Sequence, residues 1–112
     1  MATILFDIIE SYYTTHSVYN SVIFCPTSIS DRLLTFLKEY NYPVDTIDQI
    51  QKFHKGNIRM LLVCTDNTEH MNIFHETQDE IDQSISACFC DQDDLLLVQD
   101  EFPSYFDRVV TP

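Results

Sequence analysis

Glycine is nearly missing from this chain. Gly56 is the only one in 112 residues, so no glycine-rich loop able to cradle phosphates can be assembled. Cations are scarce as well: six Lys and Arg stand against 18 Asp and Glu, a net charge of -12. That balance repels phosphate backbones and anionic membrane surfaces at long range, so neither DNA nor a membrane is an expected partner. No apolar run approaches the ~20 residues of a membrane span. The opening residues carry Asp7 and Glu10 with no basic leader, which is not the pattern of a secretory signal. A cytoplasmic protein is expected.

The groups that carry chemistry are equally thin. Cys25 and Cys64 close apolar runs, where a reduced, buried thiol is the usual outcome, and Cys88-x-Cys90 lacks the spacing of a zinc knuckle even with His70 and His75 nearby. His16, His54, His70 and His75 are the available general bases, and none lies in a recognisable nucleophile setting such as Gly-x-Ser-x-Gly. No catalytic, cofactor-binding or metal-ligating residue is expected, and no enzyme.

What the chain does contain is a core. Hydrophobic residues make up 45% of it and aromatics 12%, enough for one folded domain over residues 1–112. From Thr3 to Tyr13 the apolar residues Ile4, Leu5, Ile8, Ile9 and Tyr12 recur at helical spacing. Val22-Ile23-Phe24-Cys25 and Met60-Leu61-Leu62-Val63-Cys64 are apolar on both alternations, as strands covered on both faces must be. Leu95-Leu96-Leu97-Val98 has the same character and is predicted to be a third such strand.

Between these runs lie helical signals. Ser28 with Asp31 resembles a capping box before the helix that ends near Tyr40, and Asn41-Tyr42-Pro43 breaks it. A short helix from Thr46 to Lys55 would use Ile47, Ile50 and Phe53, with Gly56 as its left-handed cap. Thr77 with Glu80 is a second capping-box signal, opening a helix through Ile81 and Ile85 towards Cys88 or Phe89, and Pro103 opens a last one containing Tyr105, Phe106 and Val109. The alternation predicts an α/β fold of three layers, a mainly parallel sheet with helices on both faces. The chain runs out at Val110-Thr111-Pro112 without a terminating element, which predicts a fragment of a longer protein.

In order, these elements resemble the RecA-like C-terminal domain of DEAD-box and related superfamily-two RNA helicases. Ser21-Val22-Ile23-Phe24-Cys25-Pro26-Thr27 is similar to that family's "IFCNT" strand and turn, and the stretch from Phe53 through Gly56 to Val63-Cys64-Thr65-Asp66 is similar to its "F-x-x-G-x-x-x-V-L-V-x-T-D". The departures fall on the functional motifs. The "H-G-x-x-x-Q" segment is missing between Tyr40 and Thr46, Asn67 to Ile73 replaces the Arg-Gly-Ile-Asp signature, and the final "H-R-x-G-R" is reduced to Asp107-Arg108-Val109-Val110. The resemblance therefore implies a degenerate helicase domain with no ATPase chemistry and no nucleotide. Such domains resemble the one in Yb-type Tudor proteins of the insect piRNA pathway, which implies self-association or protein–protein contact in an RNA-silencing assembly, in perinuclear granules of the cytoplasm.

Two sets of residues carry these expectations. Tyr12, Tyr13, Tyr19, Tyr42 and Tyr105 are the candidate interface aromatics for a protein partner or a second copy, because tyrosine combines apolar area with a polar tip. The alternative, residual binding of single-stranded RNA, would rest on Thr27, Thr65 and Arg108, the positions matching the old helicase face.

Overall fold

The computed structural model describes residues 2–16, 20–49, 60–81 and 85–110. Helix α1 (Ala2–Thr15) leads into strand β1 (Ser21–Cys25), helix α2 (Thr27–Glu39) and the short strand β2 (Val44–Thr46). After a 3-10 turn at Ile47–Gln49 come β3 (Met60–Cys64), α3 (Thr68–Ile81), β4 (Ala87–Cys90), α4 (Leu95–Glu101) and α5 (Pro103–Phe106). All pairings are parallel, in the order β2-β3-β1-β4, with Ile23 opposite both Leu62 and Phe89. The three-layer α/β arrangement expected of a RecA-like domain is present.

Period-two alternation sorts the strands into two apolar faces. Ile23, Cys25, Leu62 and Phe89 pack with Leu5, Ile9, Leu33 and Leu37, so α1 and α2 cover one side. Val22, Phe24, Leu61, Val63 and Cys88 pack with Phe74, Val98, Phe102 and Tyr105, so α3, α4 and α5 cover the other. Every residue of β1, β3 and β4 is buried, which is why the first two read as uninterrupted apolar runs. All four cysteines are buried free thiols.

With glycine so rare, the end of α2 is closed by asparagine. Asn41 takes φ 64°, in the left-handed region. Its N–H donates to Lys38 O at 3.1 Å and that of Tyr42 to Leu37 O at 2.9 Å, the paired bonds of a Schellman turn. A short polar side chain makes that conformation accessible.

Four local expectations are corrected. Leu95–Val98 is the start of helix α4 rather than a strand: Val98 is fully buried while Leu96 is 75% exposed, so the run is not covered on both faces. The edge strand is instead Ala87–Cys90, inside the stretch expected to be helical. Helix α3 begins at Thr68, capped by Asn67, whose Oδ1 accepts from His70 N at 3.1 Å. Thr77 sits within that helix, its hydroxyl donating to Ile73 O at 2.7 Å, the back-bond open to a mid-helix threonine. Ser28 caps nothing either, because α2 starts one residue earlier, at Thr27 after Pro26. Of the short helix expected from Thr46 to Lys55, the structure describes only a strand residue and the 3-10 turn; Ile50, Phe53 and Gly56 lie outside the described residues.

Candidate functional site

Strands β1 and β3 are neighbours whose connections diverge: α2 leads from β1 to β2 beyond β3, and α3 leads from β3 to β4 beyond β1. Such a switch point opens a crevice at the carboxyl ends of the strands, the usual ligand position in open α/β sheets. Thr27 and Thr65 both stand there, and the Thr65 N–H donates to Cys25 O at 3.0 Å. Arg108 does not join them. Its carbonyl accepts from Cys88 N at 3.2 Å and its guanidinium reaches Ile85 O at 3.5 Å, towards the amino end of β4 and across the sheet from the crevice.

Aspartates fill the crevice. Thr27 donates both its N–H, at 2.9 Å, and its hydroxyl to Asp66 Oδ1. These donors hold the Asp66 carboxyl below the usual carboxylate range. Pro26 offers α2 no side-chain cap, so Asp66, brought from the turn after β3, satisfies the first amide of the helix from a distance of 39 residues. Thr65 donates its hydroxyl to Asp94 Oδ2 at 2.8 Å. Burial and the neighbouring Asp91, Asp66 and Asp93 push the Asp94 carboxyl up, against the pull of that bond. Asp66→Ala should cost about 1 kcal/mol, the usual worth of a helix cap, in urea unfolding, with Asp66→Asn intermediate.

Beneath the aspartates, Cys25 and Cys64 are paired in register and face α2 together. Side by side on neighbouring strands, the two thiols are shifted in opposite directions by each other, Cys25 up and Cys64 down. His70 is buried with both ring nitrogens engaged: Nδ1 accepts from Cys64 N at 3.0 Å, and Nε2 lies 3.3 Å from Asp48 Oδ1. The Thr46 hydroxyl and His70 hold the Asp48 carboxyl below its usual range. This histidine props the end of β3 and is not placed as a free base. His75 is exposed and faces Glu101 at 3.4 Å, and His16 stacks on Tyr12 at 4.2 Å.

The tyrosines divide. Tyr105 is fully buried, its hydroxyl donating to Gln78 O at 3.1 Å, so the expectation of an interface residue is corrected to a core one. Tyr13 and Tyr42 are half-buried and meet edge to face at 5.4 Å, with the Tyr13 hydroxyl 3.0 Å from Ser21 Oγ. Tyr19 lies outside the described residues. Tyr12 borders an open cleft.

That cleft lies between α1 and Val109 and Val110, which run beside β4 as an incipient strand. Its two cavities, about 410 and 500 Å³, share Ile4, Ile8 and Val110 as a common wall. The helical spacing of Ile4, Ile8 and Tyr12 is visible in the sequence, but the opposite wall depends on the β4 edge, in a stretch whose pattern predicts helix. Compared with known proteins, the chain matches no family model, no curated protein and no solved structure. Among the described residues no helix is long and apolar enough to cross a membrane.

Proposed function

We propose that this chain is a non-catalytic, helicase-C-like module that works by protein contact, with a copy of itself or another protein, the role its resemblance implies in an RNA-silencing (piRNA) assembly. The observation that carries the reading is the carboxylate-filled crevice. The position where a RecA-like sheet would meet phosphate holds Asp94, tied to Thr65, with Asp91 and Asp93 beside it, while Asp66, which the family shares, is tied to Thr27. Phosphate brought there meets like charge at short range, and the threonine donors are already committed. What the chain leaves open to a partner is apolar surface, with Ile4 60% and Leu96 75% exposed.

Residual RNA binding is the rival reading, and one pair of measurements separates the two. Titration with single-stranded RNA at low ionic strength, where phosphate attraction is largest, is expected to give no binding. Light scattering at an ionic strength that screens the charge of -12 is expected to give a mass rising with concentration above the 13.1 kDa of one chain. A single-chain mass throughout, together with RNA binding that weakens as salt rises, would overturn the proposal.

A further inference from the structure

Helix α1 carries two apolar stripes. Leu5, Phe6 and Ile9 are buried against the sheet and α2. Ile4, Ile8 and Tyr12 form a second line at four-residue spacing, with Ile4 60% exposed and the other two half-buried. The core does not absorb this second stripe. It forms one wall of the cleft, and Val109, Val110 and Leu95 supply apolar surface to the other.

Resting on the reading of the chain as a protein-contact module, we propose that this cleft receives a basic amphipathic helix from a partner protein. Charge selects the sign of the occupant. Asp7, Asp91 and Asp93 line the cleft, His16 is its one potential cation, and no Lys or Arg lines it among the described residues. In this cleft a second copy would bring its own Asp7 to the same apolar stripe, whereas Lys and Arg flanking an apolar face gain from both the stripe and the aspartates.

The backbone favours a helix over an added strand. In the segment beside β4, Arg108 O and Val110 N point inward to Cys88, which leaves Val109 to offer the outward pair. Its N–H is already given to Phe106 O at 3.1 Å, so an incoming strand finds no donor there. A helix needs none, since its own backbone groups are satisfied internally. The line from Ile4 to Thr15 spans about 17 Å, close to three turns of an occupant.

The test uses the full chain and three short synthetic peptides. One has a leucine stripe at helical spacing and lysines elsewhere, the second has the same composition scrambled so that the leucines share no face, and the third keeps the stripe with glutamates in place of lysines. The first is expected to bind, more weakly as salt rises, and the other two to bind at least tenfold more weakly. Ile4→Lys should weaken the first peptide about tenfold or more, since it removes apolar contact from the stripe and sets a cation against the peptide's lysines. Thr35→Lys, the same charge change at an exposed position on α2, should leave binding within about twofold, as expected of a surface site away from the contact. Thermal melting of both variants checks that neither has unfolded.

Equal binding of the scrambled peptide, equal loss in the two variants, tight binding of the glutamate peptide, or no peptide binding at all would each overturn the proposal. Self-association without peptide binding would leave the protein-contact reading standing and remove only this occupant. RNA binding that moves Thr27 and Thr65 would remove the reading itself.

Discussion

Leu96→Asp is expected to leave stability within about 0.5 kcal/mol of the parent, and Val98→Asp to remove more than about 3 kcal/mol. In a strand, positions 96 and 98 would share a face, and the two substitutions would cost alike. On helix α4 they are about 200° apart, from the 3.6-residue repeat. Leu96 accordingly stands 75% exposed while Val98 is fully buried in the cluster with Phe24, Phe74 and Phe102. An aspartate at 98 would bury a carboxylate among those aromatic rings, at a cost of several kcal/mol. Urea unfolding of the two variants reads the difference directly. Equal, large losses would restore Leu95–Val98 as a buried strand and dissolve the β4 edge on which the cleft depends.

Phe24→Ala is expected to cost about 4 kcal/mol, within the 3–5 kcal/mol usual for a buried phenylalanine. Phe24 sits on the central strand with no exposure, edge-on to Phe74 at 5.3 Å and stacked on Phe102 at 5.5 Å and 15°. Phe74 in turn meets Phe102 at 4.8 Å and Tyr105 at 5.1 Å, so one ring on β1 joins α3, α4 and α5 to the sheet. Its removal leaves a void that packed helices close only in part. Tyr40→Ala, at a position 59% exposed, is the control and should cost about 1 kcal/mol or less. The urea midpoint should fall for Phe24→Ala without a change in slope, and a loss below about 1 kcal/mol would mean that the ring does not bridge the layers.

How far the fold was legible followed from how each run is covered. Val22–Cys25 and Met60–Cys64 are buried on both faces, and nothing but apolar residues fits such strands. Leu95–Val98 looked alike, because a short apolar run does not reveal its own period. A 3-10 turn at Gln92–Asp94, capped by Asp91 accepting from Asp93 N at 3.3 Å, leads directly into it as a helix. Ala87-Cys88-Phe89-Cys90 escaped notice because alanine and cysteine carry little strand signal, and its burial is set by β1 beside it.

The site was legible in part for the same reason. Thr27 and Thr65 fall at strand ends, and strand ends are where a parallel sheet gathers its ligand-facing residues. Their bonds to Asp66 and Asp94 cross 39 and 29 residues, and no local pattern encodes such pairs. Tyr12 and Tyr105 are equivalent as letters in the sequence. One borders the cleft and the other is sealed beneath α3, a difference made by tertiary packing alone.

The most direct test of a closed crevice and an open cleft is amide NMR of the labelled chain, titrated at low salt with single-stranded RNA and, separately, with the lysine–leucine helix. Thr27 and Thr65 should stay fixed on adding RNA, while Ile4, Ile8 and Val110 move on adding the peptide. Thr27 and Thr65 shifting together with RNA, and returning as salt is raised, would contradict it.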